Sequence, residues 1–241
     1  MAQELLEAAP SPLTGKRRET AARLPFLFDT GQARRLLDAA AALPDNARAA
    51  RRGPTYRTVY ALCYGLGQRA GEACGLRVGD VDVDRGLLVV RGGKFGKTRL
   101  VPYGPRIGDL LNEQLDRRHQ ADSSDGIDAP LFSFDSRRCM HPGTASQTFH
   151  HLVPTLDLPV PDGVLPPRLH SLRHSFAVGC LLRWYRHGVD PMTRLHQLST
   201  FMGHVDPKST AVYLQITPEL LAEANRRFET FAEPAWTRVL P

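Results

Sequence analysis

Residues 87–101 read LLVVRGGKFGKTRLV: two short β-favouring runs, at 87–90 and 99–101, held apart by a glycine-rich turn. Branched apolar residues on both sides of Gly92, Gly93 and Gly96 form the pattern of an antiparallel hairpin, because glycine accepts the backbone angles of a tight reversal. The turn also carries two cations, Lys94 and Lys97. Whether this hairpin seeds a sheet fold or interrupts a helical one depends on its flanks.

The flanks are helical. Upstream, Val59, Leu62, Cys63 and Leu66 recur at helical spacing after Pro54, and GLRVGDVDVDRG (75–86) is a turn-rich exit. Further back, Asp29 or Thr30 caps and Gln32 closes a capping box ahead of Ala33, Leu36, Leu37 and Ala40, in a helix that stops by Pro44. Downstream, Ile107, Leu110, Leu111 and Leu115 mark an amphipathic helix, and 121–130 is a surface loop. The rest predicts helices near 144–153, 170–185, 191–202, 208–214 and 218–231. The fold class is therefore mainly α (α+β), with a small antiparallel sheet. Residues 1–25 are polar and carry Lys16, Arg17 and Arg18, which suits a flexible tail or linker remnant. One folded domain over 26–232 and a tail at 233–241 complete the division.

Hydrophobic residues fill 42% of the 241 positions, enough for one substantial core. Lys and Arg number 31 against 25 Asp and Glu, a formal charge of +6, which favours nucleic acid only where the cations share a face. Cys63, Cys74, Cys139 and Cys180 lack C-x-x-C spacing and read as thiols in a reducing compartment. No apolar run approaches the roughly 18–20 residues that span a bilayer. The first residues also lack the basic-then-apolar order of a signal peptide, so a cytoplasmic protein without membrane contact is expected. His141, His150 and His151 fit no zinc spacing, and Asp80, Asp82 and Asp84 lie in a turn-rich exit where they cap or solvate the chain. No metal or other cofactor is expected.

Four segments carry the chemistry. GLGQRAGEACGLR (65–77) sets Arg69 three residues before Glu72, near the end of a helix and on one face of it. The hairpin tip offers Lys94. HSLRH (170–174) sets His170 and Arg173 on one helical face, and GHVDPKSTAVY (203–213) puts His204 nine residues before Tyr213. An arginine in G-x-R-x-x-E, a hairpin lysine, H-x-x-R, G-H and then a tyrosine, in that order, resembles the tyrosine recombinase (phage-integrase) family from about Phe26 to Phe231. Each motif is common alone, and the ordered set is rare.

The resemblance implies a metal-free enzyme that breaks and rejoins double-stranded DNA through a 3′-phosphotyrosine, with Tyr213 as nucleophile. Such chemistry needs neutralisation of the non-bridging oxygens and a proton for the leaving 5′ oxygen. Arg69 and Arg173 suit the first need, since planar forks match two oxygens better than a point charge does. His204 adds a donor. Lys94 is expected to protonate the leaving oxygen, with Lys97 as its competitor and otherwise a backbone-phosphate contact, while His170 accepts the phenolic proton or holds the phosphate. Glu72 is expected to orient Arg69.

Arg99, Arg137, Arg138 and Lys208 are candidate phosphate contacts, as are Arg51 and Arg52. His174 is expected to point about a quarter turn away from Arg173 and to pack or to support the site from behind. Family members carry a helical clamp domain ahead of this region. The short lead here predicts a truncated chain, a partner that supplies the clamp, or a residual DNA-binding remnant. A type IB topoisomerase-like enzyme is the chemical alternative. The amphipathic segment 218–231 is expected to dock into a neighbouring protomer, giving a homotetramer on DNA.

Overall fold

The computed structural model describes residues 23–47, 49–91, 98–121, 126–135, 138–204, 206, 208–215 and 222. The helix α1 (Thr30–Ala41) opens on Asp29, whose Oδ1 accepts from Gln32 N at 2.7 Å while Gln32 Oε1 accepts from Asp29 N at 3.1 Å. Two orphan N–H groups are thereby satisfied, and Ala33, Leu36 and Ala40 form the buried stripe.

The centre is α2 (Arg52–Gly65), buried at every position from Thr55 to Cys63 except Arg57 because α1, α4 (Pro105–Ala121) and α6 (Leu169–Arg186) all pack on it. Three of its buried hydroxyls are paired. Thr55 and Thr58 Oγ1 donate to the carbonyls of Arg51 and Pro54, and Tyr60 Oη donates to Ala145 O at 2.9 Å in α5 (Pro142–Leu152). Tyr60 and Phe149 meet edge to face inside a core shared with Leu36, Leu62, Leu88, Leu111, Phe132 and Leu172.

Three antiparallel strands lie in the order β1 (Val81–Asp82), β2 (Leu87–Val90), β3 (Arg99–Pro102), with Leu88 opposite both Val81 and Val101 and Val90 opposite Arg99. The β2–β3 pairing is the expected hairpin. The strand added to it, β1, is two residues long and lies within a segment read from sequence as a turn-rich exit. Asp80 and Asp82 do accept turn hydrogen bonds there, from Arg77 N and Arg85 N.

Two expectations need correction. Arg69 does not end a helix. The chain breaks at Gly67 (φ +61°), and Arg69 becomes the N-cap of a short new helix, α3 (Ala70–Cys74). The helix expected at 208–214 is one turn, α8 (Lys208–Ala211), which tightens into a 3-10 turn at Val212–Gln215. The helix expected at 218–231, apart from residue 222, and residues 1–22 of the tail expected at 1–25 lie outside the described residues.

A second buried cluster joins α6 to α7 (Pro191–Met202). Ala177, Val178 and Leu181 from α6 meet Leu195, Leu198 and Met202 from α7, and Tyr213 seals against them. Phe176 and Phe201 stack across the pair at 5.5 Å. The N-terminal segment is tied to the same helix where Phe28 N donates to Ser175 Oγ at 2.7 Å, in a buried bond. Among the described residues no helix is long and apolar enough to cross a membrane.

Ser175→Ala leaves the Phe28 N–H buried without its acceptor, so it should cost about 1–3 kcal/mol. The check is urea unfolding, with a lower midpoint at an unchanged slope. An unshifted midpoint would show that the Phe28–Ser175 bond does not hold this segment.

Candidate active site

The site is assembled around the C-terminal end of α7. Helix ends expose carbonyls without intrahelical partners and carry about half a negative charge. Here three consecutive carbonyls are capped by three arginines from three distant elements. Phe201 O accepts from Arg99 Nε at 2.9 Å, Met202 O from Arg173 Nη2 at 2.8 Å, and Gly203 O from Arg69 Nη2 at 3.2 Å. Gly203 ends the helix at φ +69°, and a Cβ there would stand 2.7 Å from Arg99 Nη1. Glycine is therefore needed twice over, for the left-handed turn and for the close passage of Arg99.

Glu72 is the second anchor. Its side chain is 7% exposed, and its two carboxylate oxygens accept from Arg69 Nη1 (2.7 Å), Arg99 Nη1 (3.0 Å), Arg99 Nη2 (2.9 Å) and the backbone N–H of Arg69 (3.0 Å). Arg173 Nη1 stands 4.0 Å away. Burial works to raise the pKa of Glu72, but the hydrogen bonds and charge of Arg99, together with the Arg69 backbone and side chain, outweigh it and hold the group at about 2. Arg173, with 1% of its side chain exposed, also donates to Gly67 O. Its burial and the nearby Arg69 lower its pKa to about 10, and it remains charged at neutral pH.

Tyr213 is 4% exposed, and its Oη lies 2.9 Å from His174 Nδ1. The ring of His204 lies nearly parallel to that of Tyr213 at 6.4 Å, and His204 Nδ1 is hydrogen-bonded to Thr210 Oγ1 at 2.7 Å. His170 is exposed, one helical turn before His174, and their rings meet edge to face at 4.6 Å. Burial, followed by the charges of neighbouring groups, lowers all three histidines, His174 and His204 to about 4. They are neutral at pH 7. Burial raises the phenol of Tyr213, against the opposing pull of Arg173 and Arg69.

The structure thus brings Arg69, Glu72, Arg173, His204 and Tyr213 into one connected network, with His170 at its edge. Lys94, Lys97 and Arg137 lie outside the described residues. Arg173, Glu72 and Tyr213 are buried, and His170 and Arg69 provide the accessible edge. Arg99, expected on phosphate, turns its fork inward to Glu72 and Phe201 O. Among the other candidates, Arg51 donates to Arg117 O and Arg52 to Pro44 O, whereas Arg138 and Lys208 are exposed.

His174 was missed as a partner of the tyrosine. The signal was available, because residues four apart on a helix share a face and His170 lies four before it. Chemically, the network offers guanidinium N–H groups, neutral imidazoles and a phenol at one place. That set can bind an oxyanion and supply an oxygen nucleophile.

Comparison with known proteins finds sequences and a fold similar to those of this chain. The family model described as the phage integrase family matches residues 27–219. A putative integrase/recombinase, y4rB, from Sinorhizobium fredii is 37% identical over 206 residues, covering 85% of this chain and 66% of that protein. Tyrosine recombinase XerA of Thermococcus kodakarensis is 32% identical over 171 residues, 71% of this chain and 54% of its own length. A crystal structure of XerA recombinase superposes with a TM-score of 0.64 at 25% identity, covering 85% of this chain and 65% of that one. The chain therefore spans between about half and two thirds of these relatives.

Because the pKa of Glu72 is lower folded than its ordinary 4.5, its contribution to stability is complete above about pH 4.5 and is lost as pH falls toward 2. Glu72→Gln should cost roughly 3–5 kcal/mol at neutral pH, the scale of a broken buried ion pair, and should flatten this part of the acid limb. Urea midpoints between pH 7 and pH 3 test both effects. A variant as stable as the parent, with the same acid limb, would contradict the anchoring role.

Proposed function

This chain belongs to the phage integrase family, and on that premise we propose that it cleaves and rejoins double-stranded DNA as a site-specific tyrosine recombinase, through a 3′-phosphotyrosyl intermediate on Tyr213. The observation that carries this reading is the placing of the Tyr213–His174 pair beside Arg69, Glu72 and Arg173, of which Glu72 and Arg173 are buried and Arg69 is half-buried. Guanidinium groups held in this way are already oriented, so binding a phosphate costs little further reorganisation.

In this reading Arg69 and Arg173 neutralise the non-bridging oxygens, and His204 donates a third hydrogen bond through the ring nitrogen not used by Thr210. Glu72 and Arg99 position the two forks. The phenolic oxygen of Tyr213 forms a bond to phosphorus as the bond from phosphorus to the 5′ oxygen breaks, and Lys94 supplies the proton that this oxygen takes up. His170 sits at the accessible edge, where it holds the phosphate. The covalent bond to Tyr213 conserves the phosphodiester energy, so a 5′ hydroxyl from another strand can reverse the step. The charge neutralisation comes from side chains, and the proposed reaction uses no metal.

The folded unit acting on DNA is 26–232, flanked by tails at 1–25 and 233–241. Lys97, Arg137, Arg138 and Lys208 serve as phosphate contacts. Assembly into a homotetramer through 218–231, action in the cytoplasm, and a clamp supplied by further chain or by a partner follow from the same family reading.

Tyr213→Phe should abolish the denaturation-resistant adduct on a pool of nicked duplexes of randomised sequence, in excess EDTA, while binding to that pool changes by no more than a few-fold. Arg173→Ala should slow trapping by about a hundredfold or more. A persisting adduct in the Phe variant, or a strict need for divalent metal, would overturn the mechanism.

A further inference from the structure

We infer that His174 is the base that takes the phenolic proton of Tyr213 as the tyrosine attacks phosphorus, a catalytic role that the sequence pattern had pointed toward His170. The inference rests on the recombinase reading above. It is carried by contact and by elimination. Nδ1 of His174 lies 2.9 Å from Tyr213 Oη, within the reach required of a general base. His204 presents the face of its ring to Tyr213 and has its Nδ1 engaged by Thr210 Oγ1. Among the described residues no hydrogen bond joins His170 to Tyr213. His170 instead abuts the His174 ring edge to face.

The surroundings suit the task. His174 is half-buried on α6, with His170 and Arg173 as its neighbours on that helix and Tyr213 facing it from the 3-10 turn. Burial, then His170 and Arg173, hold its pKa near 4, so the ring is neutral at pH 7 and carries one free lone pair. With the ring proton on Nε2, that lone pair is on Nδ1 and points at the phenol. A phosphodiester between Arg69 and Arg173 brings negative charge close to the ring and raises its affinity for a proton at the moment of attack.

The step balances. The phenolic O–H bond breaks and an Nδ1–H bond forms, giving an imidazolium. The phenolic electron pair bonds to phosphorus, and the departing 5′ oxygen takes a separate proton from Lys94. On rejoining, the incoming 5′ hydroxyl returns its proton to the neutral Lys94 amine as it bonds to phosphorus, the bond from Tyr213 to phosphorus breaks, and the phenolate recovers the proton held by His174.

Two measurements test the role. In the full chain labelled with 15N-histidine and free of DNA, Nδ1 of His174 should resonate as an unprotonated ring nitrogen and shift in Tyr213→Phe. This measurement needs no variant of His174 to fold. In His174→Asn, the amide oxygen occupies the place of Nδ1 and accepts the same hydrogen bond but cannot hold the proton. Single-turnover adduct formation on the nicked randomised duplexes should then fall by about 10²–10⁴, with binding to them changed by no more than a few-fold. A protonated Nδ1, or trapping by His174→Asn at the parental rate, would overturn the assignment. A parent chain that forms no adduct would overturn the recombinase reading and this role with it, and is distinguishable because the parent itself is silent.

Discussion

Three guanidinium groups within one small volume repel one another, and the two buried among them also lose hydration. The rest of this structure depends on how that cost is met. The Glu72 carboxylate lies between Arg69 and Arg99 with Arg173 at 4.0 Å, and the exposed carbonyls of Phe201, Met202 and Gly203 take one N–H from each arginine. One full negative charge and the partial charge of a helix end thus offset three positive charges. The surplus is positive, which is what an anion site needs.

The same contacts tie separate parts of the chain into one frame. Arg99 begins β3 at the base of the hairpin, Arg69 caps α3, Arg173 projects from α6, and all three end on α7. Gly203 then turns the chain so that His204 and, after one helical turn, Tyr213 return toward α6. Gly67 has a matching role at the other end of the frame. It takes φ +61°, its carbonyl receives Arg173, and its lack of a side chain leaves room for Phe176, which a Cβ would approach to 2.3 Å.

What was legible in the sequence was mostly local. The Asp29 capping box, the hairpin and the pairing of Arg69 with Glu72 each depend on residues close in the chain, and each was visible as spacing. The grip of Arg99 on Glu72, 27 residues away, was not visible, because nothing in a single sequence distinguishes an inward arginine from an outward one near a basic hairpin. The burial of Arg173 and Tyr213 was not visible for a related reason: it is decided by the packing of α6 on α7, which local spacing does not report. His174 differs, since its four-residue spacing from His170 on one helix already places both rings on one face.

The central claim is that the frame built on Glu72 and α7 brings a phosphate to the Tyr213 hydroxyl. Tryptic mapping of the trapped protein–DNA adduct tests it most directly, because cleavage after Lys208 and Arg226 isolates a peptide, residues 209–226, in which Tyr213 is the only tyrosine. The account predicts a nucleotide-modified peptide whose fragment masses place the phosphate on Tyr213. A nucleotide on any other residue, with peptide 209–226 recovered unmodified, would contradict it.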